Sequence, residues 1–173
     1  WRDLRGRKAV NLGIDRAAVD PSTDFLVDLS GVVSVDGGAG DDVITLGAAL
    51  NAGTVAGGLG IDQLNKGGTI AGLTVSGIEI VNTNGGTLTA SAAQLEGFDT
   101  IRFSAAQATA AISLAQAGAG TVDLTDEVLG RRVIYAGSSG NDAVTLSDGA
   151  DRLDGGSGDD TLNGGLGNDT VLG

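Results

Sequence analysis

Cysteine and histidine are absent from this 173-residue chain, proline occurs once, and only five side chains are aromatic. Without cysteine there can be no disulfide and no thiolate metal site, and without histidine no imidazole is available to hold a borderline-soft metal such as zinc. The lack of cysteine fits an exported bacterial protein as well as a cytosolic one. So few aromatic rings leave no conventional aromatic-packed core. Glycine, by contrast, occurs 31 times, and each one in regular structure costs roughly 0.5–1 kcal/mol relative to alanine. Something other than aromatic burial must offset that handicap. No signal peptide or transmembrane run is legible either, since the most apolar stretch, AAQATAAISLAQAGAG, is made of small residues and interrupted by glutamine. If the protein is exported, the address lies outside this sequence.

Positive charge is scarce and unevenly placed. Five of the ten basic residues, Arg2, Arg5, Arg7, Lys8 and Arg16, precede residue 17; beyond it 20 acidic side chains face 5 basic ones, against a formal net charge of -12 for the whole chain. Such a surface repels nucleic acid and anionic lipid and attracts cations. Acidic, glycine-rich chains are often disordered, but 41% hydrophobic content with regularly spaced Val, Leu and Ile argues for a folded one.

The regularity has a period. Counting back from the C-terminus, GSSGNDAVT (137–145), LSDGADRLD (146–154), GGSGDDTLN (155–163) and GGLGNDTVL (164–172) abut as nonapeptides with Gly fourth, Asp sixth and Leu or Val eighth. Upstream, GGAGDDVIT (37–45) and GGLGIDQLN (57–65) share the form but start 20 residues apart. The 20-residue step continues through Val35, Val55, Val75, Leu95, Ala115 and Tyr135, and VSGIEIV (75–81) matches LEGFDTI (95–101) in order. Repetition of this kind predicts an all-β solenoid of about seven coils, 18 to 20 residues each, in which short strands of successive coils pair. At ~4.8 Å per coil its body would be about 35 Å long. Ser91-x-x-Gln94 and Ser104-x-x-Gln107 read as helix-capping boxes, and the Ala-rich segment ending at Gly118 predicts a short helix within 104–117. The expected division is a linker or flanking segment (1–24), a first β part with acidic turns (25–65), a solenoid part poor in them (66–136) and the C-terminal array (137–173).

The glycines and aspartates of the nonapeptides belong together chemically. A six-residue turn that aims several carbonyl oxygens inward needs backbone angles that glycine adopts most easily, and the Asp at the sixth position adds a hard anionic oxygen. Carbonyls and carboxylates without nitrogen or sulfur donors specify a hard cation of high coordination number, Ca²⁺ before Mg²⁺ or Zn²⁺. The candidate ligands are Asp42, Asp62, Asp142, Asp151, Asp160 and Asp169. Glu79, Asp99, Asp123, Asp126 and Glu127 have no Gly-Gly turn beside them and read as solvated charges.

These nonapeptides resemble the G-G-x-G-x-D-x-U-x repeat of the RTX (repeats-in-toxin, hemolysin-type calcium-binding) family. GGAGDDVIT, GGSGDDTLN, GGLGNDTVL and GGLGIDQLN follow the pattern; GSSGNDAVT lacks one glycine and LSDGADRLD both leading ones. The resemblance implies a right-handed parallel β-roll with two nonapeptides per coil and several Ca²⁺ ions held between turns on the same side of successive coils. Carried onto this chain, it pairs Asp142 with Asp160, Asp151 with Asp169 and, across a longer coil, Asp42 with Asp62. Carbonyls from odd turn positions would complete the shells: Gly37, Ala39 and Asp41; Gly57 and Leu59; Gly137, Ser139 and Asn141; Gly155, Ser157 and Asp159; Gly164, Leu166 and Asn168. The fifth-position residues Asp41, Asn141, Asp159 and Asn168 serve through their backbones in this scheme.

Three functional classes follow. The first is a Ca²⁺-folded structural part of a larger secreted or cell-surface protein, of surface-layer or adhesin type, whose Ca²⁺-poor middle is similar to bacterial surface-layer solenoids. The second is the non-catalytic calcium-binding module of a secreted toxin, protease, lipase or polysaccharide-modifying enzyme; the family's association with type I secretion agrees with either. The third, an enzyme within the chain, is disfavoured by the absence of histidine and of any carboxylate cluster beside an Arg or Lys outside the turns. Arg131, Arg132 and the basic N-terminal segment read as solvated or linker charge, with an anionic envelope glycolipid or neighbouring copies of the chain as alternative partners. Gly173 stands where another Gly-Gly would start, so the array is expected to continue in a longer protein.

Overall fold

The computed structural model describes residues 24–27, 32–47, 49–102, 111–128 and 130–173. In chain order the strands are β1 (Asp24–Val27), β2 (Val32–Ala39), β3 (Val43–Leu46), β4 (Ala52–Leu59), β5 (Gln63–Asn65), β6 (Gly68–Thr69), β7 (Leu73–Ser76), β8 (Ile80–Asn82) and β9 (Leu88–Ala90). A four-residue helix, α1 (Ala92–Leu95), then precedes β10 (Thr100–Arg102), β11 (Ile112–Gln116), β12 (Gly120–Asp123) and β13 (Val133–Ala136). Strands β14 (Asp142–Thr145), β15 (Arg152–Asp154), β16 (Thr161–Asn163) and β17 (Thr170–Leu172) close the chain.

Every strand pairing is parallel, and strands adjacent in sequence lie in different sheets, so the chain is a β-solenoid in which each sheet forms one face. One face runs β2-β4-β7, a second β1-β3-β5-β8-β10, a third β6-β9-β11-β13-β15-β17, and β12-β14-β16 form the last. The six strands of the longest sheet give about six turns of the coil where the repeat count suggests seven. Paired residues in the C-terminal coils are separated by 18 positions, as Ala143↔Thr161 and Arg152↔Thr170 show. Upstream the step varies from 17 (Gln63↔Ile80) to 26 (Leu88↔Leu114).

Alternation along these short strands fixes which side chains enter the interior. Parallel register then stacks like on like. Ile44, Leu64, Val81 and Ile101 form one buried ladder, and Leu88, Leu114, Tyr135 and Leu153 another. Each fully buried aliphatic side chain contributes about 1.5–3 kcal/mol, which is how a chain with few aromatics offsets its glycine content. The Val35, Val55 and Val75 register holds. Leu95 is buried, but on α1 rather than on a strand. Ala115 pairs with Ala136, and its neighbour Leu114 with Tyr135, because the coils around them carry insertions that slip the 20-residue phase by one.

Helix α1 starts where the Ser91 box lies: Ser91 Oγ accepts from Gln94 N, and Gln94 Oε1 accepts from Ser91 N at 2.9 Å. The helix expected within 104–117 does not form over the described part of that range. Residues 112–116 are strand β11, since Ile112, Leu114 and Gln116 are buried at every second position and tertiary burial outweighs the helical preference of alanine. Ser104, Gln107 and the segment 1–23 lie outside the described residues. Among the described residues no helix is long and apolar enough to cross a membrane.

Candidate metal centre

The nonapeptide turns occur where one face bends into the next, stacked one above another. In the turn Gly155 to Asp160, Gly156 and Gly158 have φ of 92° and 136°, in the left-handed region that side chains disfavour. A Cβ on Gly156 would sit 2.1 Å from the Ser138 carbonyl oxygen of the turn above, and one on Gly155 2.4 Å from Asp160 Oδ2. The second and fourth glycines therefore supply the backbone angle, and the first leaves room for the carboxylate. Gly58, Gly60, Gly165 and Gly167 repeat the pattern of positive φ.

Each aspartate pair is brought face to face. Asp62 Oδ1 accepts from Asp42 N at 2.8 Å, Asp160 Oδ1 from Asp142 N at 3.0 Å, and Asp169 Oδ1 from Asp151 N at 2.9 Å. One oxygen of each lower carboxylate thus ties its coil to the coil above. Among the second oxygens of these pairs, Asp62 Oδ2 and Asp160 Oδ2 in the lower members and Asp151 Oδ2 in an upper one are buried with no hydrogen-bond partner. Asp62 and Asp151 are themselves buried, and Asp42 is 6% exposed. A buried acceptor without a donor costs about 1–3 kcal/mol, more when charged, so these oxygens require a cation or a proton. Burial raises the Asp62 carboxyl above its ordinary pKa, with further repulsion from Asp42, Glu79 and Asp41; burial does the same for Asp151, reinforced by Asp169.

Carbonyl oxygens come to the same places. A Cβ on Gly37 would be 2.4 Å from Gly57 O and 2.6 Å from Asp42 Oδ2, and one on Gly137 would be 2.2 Å from Gly155 O and 2.9 Å from Asp142 Oδ2. The first-position carbonyl of one turn therefore lies beside the carboxylate of the turn above. Of the other carbonyls, Leu59 O accepts from Gly40 N at 2.7 Å. The fifth-position side chains are engaged between coils: Asp41 Oδ1 accepts from Ile61 N at 2.9 Å and Asn141 Oδ1 from Asp159 N at 3.1 Å. Among the described residues no group of three or more Asp or Glu side chains converges on one point. A donor set built here is two carboxylates at most with backbone carbonyls, which is the chemistry of a hard cation.

The two irregular turns differ in kind. In GSSGND, Ser138 N and Oγ donate to Asp142 Oδ2 at 2.7 and 3.0 Å, while Gly120 N and Gln116 Nε2 donate to Oδ1 at 3.1 and 2.8 Å. Protein donors fill the Asp142 carboxylate, so Asp160 carries the unfilled oxygen of that pair. In LSDGAD the turn forms without its leading glycines: Asp151 Oδ1 accepts from Val133 N at 2.7 Å, and Oδ2 stays unpartnered.

Two acidic residues outside the nonapeptides are not simply solvated. Glu79 Oε2 accepts from Asp62 N at 2.8 Å, in the role that Asp62 has toward Asp42. Glu127 Oε2 is buried without a partner, and burial raises its pKa. No Gly-Gly precedes either residue; the one available signal for Glu79 was the register of Val75-x-Gly77 with Val55-x-Gly57.

The family model of the RTX calcium-binding nonapeptide repeat matches the chain in four copies, over residues 20–49 and 136–171. The chain therefore carries RTX calcium-binding repeats at both ends of the described solenoid. The turn at 57–62 lies outside the matched residues yet has the same backbone. No curated protein and no solved structure gives a significant match.

Proposed function

We propose that the chain is a calcium-dependent structural module that stays unfolded where Ca²⁺ is scarce and winds into its solenoid after export. The observation that carries this reading is the set of buried, partnerless Oδ2 atoms on Asp62, Asp151 and Asp160, each in a turn also rich in carbonyl oxygen. In this scheme ions lie between Asp42 and Asp62, Asp142 and Asp160, and Asp151 and Asp169, with turn carbonyls completing each shell. When bound, the ion supplies positive charge to oxygens that otherwise repel one another.

The chain's own residues do the rest: glycines permit the stacked turns, and the apolar ladders hold successive coils in register. Ligand binding to the folded form alone, at 100 times Kd, adds about 2.7 kcal/mol per independent site. Several sites suffice to move a marginal, glycine-rich chain from mostly unfolded to mostly folded. A module of this kind carries no chemistry itself and belongs to a larger secreted or cell-surface protein of surface-layer or adhesin type. The alternative parent is a secreted toxin or hydrolase with its activity elsewhere. Circular dichroism during Ca²⁺ titration tests the switch. A β signal that appears with Ca²⁺, disappears with chelator and is not restored by equal Mg²⁺ supports it; a signal indifferent to all three refutes it.

A further inference from the structure

The coil after Asp62 has no nonapeptide, yet its geometry continues the column of acidic turns. Gly77 occupies the register position of Gly57, and a Cβ on Gly57 would lie 1.7 Å from the Gly77 carbonyl oxygen. From there the two coils diverge. From this shared register position the one coil takes six residues, Gly57 to Asp62, to reach its carboxylate, and the other three, Gly77 to Glu79. The deletion accounts for the local step of 17 residues in Gln63↔Ile80 where neighbouring pairs show 20. Register nevertheless sets Glu79 opposite Asp62, since Gln63 pairs with Ile80. Its Oε2 accepts from Asp62 N at 2.8 Å, matching the 2.8 Å from Asp42 N to Asp62 Oδ1.

Above Glu79, Asp62 is fully buried and its Oδ2 has no partner. The point that is 1.7 Å from Gly77 O is also 2.5 Å from Asp62 Oδ2, so a backbone carbonyl oxygen and the partnerless carboxylate oxygen lie beside the same point. They are at most about 4.2 Å apart, a span that two Ca–O bonds of about 2.3–2.6 Å bridge. Acceptors placed in this way call for a cation.

We infer that Glu79 is a metal-ligating residue outside the repeat signature, and that a divalent cation of Ca²⁺ type sits between the Asp62 turn and the Glu79 coil, held by Asp62 Oδ2, Gly77 O and the Glu79 carboxylate. The inference rests on the calcium-binding reading above and adds one site to it. The shortened turn closes the column here, since the next coil has helix α1 in place of a strand on that face.

The test is a count of bound Ca²⁺ by native mass spectrometry, with affinities by isothermal titration calorimetry, on the whole chain and on Glu79→Gln and Asp160→Asn. The expected result is one ion fewer, or at least a tenfold weaker site, in E79Q, with the C-terminal sites unchanged. Equal ion number and affinity in E79Q, while D160N loses an ion, overturns the role of Glu79 and leaves the calcium-binding reading intact. No Ca²⁺ bound by the unsubstituted chain overturns both. Should E79Q fail to fold, Glu79→Asp replaces it: this variant keeps the charge one methylene short, and unchanged affinity in it also counts against the proposal.

Discussion

Replacing Asp160 by asparagine should change the stability of the protein in opposite directions with and without calcium. The Oδ1 of Asp160 accepts from Asp142 N at 3.0 Å, and an amide oxygen can keep that bond. What changes is Oδ2, which is buried without a partner and faces Gly155, where a Cβ would stand only 2.4 Å away. In chelator the substitution removes a charged oxygen that nothing compensates, relieving up to about 1–3 kcal/mol. In saturating Ca²⁺ it removes an anionic ligand, and losing that site costs about 2.7 kcal/mol at a free ion concentration 100 times Kd. For a chain of this size 1 kcal/mol corresponds to about 2–4 °C in Tm, so D160N should melt about 5–11 °C below the unsubstituted protein in Ca²⁺ and at or above it in chelator. Thermal melts followed by circular dichroism in the two buffers decide it. An equal drop in both would mean that the carboxylate serves only as a hydrogen-bond acceptor between coils, and the metal argument for that turn fails.

Gly57→Ala places a methyl carbon 1.7 Å from Gly77 O and 2.5 Å from Asp62 Oδ2, so it should destabilise by at least about 3 kcal/mol and abolish the first Ca²⁺ sites while the C-terminal ones still titrate by calorimetry. Tyr135 Oη donates to Gln116 Oε1 at 2.5 Å, and Gln116 in turn holds Asp142; Tyr135→Phe should cost about 1–3 kcal/mol, equally in Ca²⁺ and in chelator, as denaturant titration would show. Glu127 has its pKa raised chiefly by burial, with Glu96 and Asp123 adding repulsion. A carboxyl raised in this way disfavours the fold increasingly as the pH climbs from its unfolded value toward its folded one, and has no effect well below 4.5. Glu127→Gln should therefore raise Tm at pH 7 and leave it unchanged at a pH well under 4.5; a Tm rise of the same size at both would contradict the burial argument.

The sequence made the turns legible because their chemistry is local. A carboxylate that tucks against a glycine five residues earlier, and two left-handed glycines between them, leave a signature at fixed spacing. Register was legible wherever successive coils keep one length, as Val35, Val55 and Val75 do. Elsewhere the information is tertiary. The third face begins at Gly68–Thr69, two small residues with no pattern of their own, placed by pairing with Leu88 and Thr89. The slip at Ala115 follows from a 21-residue step to Ala136, next to a 26-residue one, and no repeat encodes either length. Glu79 was missed because its turn is three residues shorter than the repeat and has no Gly-Gly, and only the register shows it opposite Asp62. In GSSGND the loss of one glycine admits Ser138, whose donors hold the Asp142 carboxylate and leave Asp160 Oδ2 as the unfilled oxygen of that pair.

Crystals grown in Ca²⁺, with anomalous differences collected at a wavelength where calcium scatters strongly, address the central claim most directly. The account predicts peaks between Asp42 and Asp62, between Asp142 and Asp160, between Asp151 and Asp169 and between Asp62 and Glu79, with the Oδ2 atoms of Asp160 and Asp151 and, in the last, of Asp62 within bonding distance of the ions. A folded solenoid with only solvent beside those oxygens would contradict it.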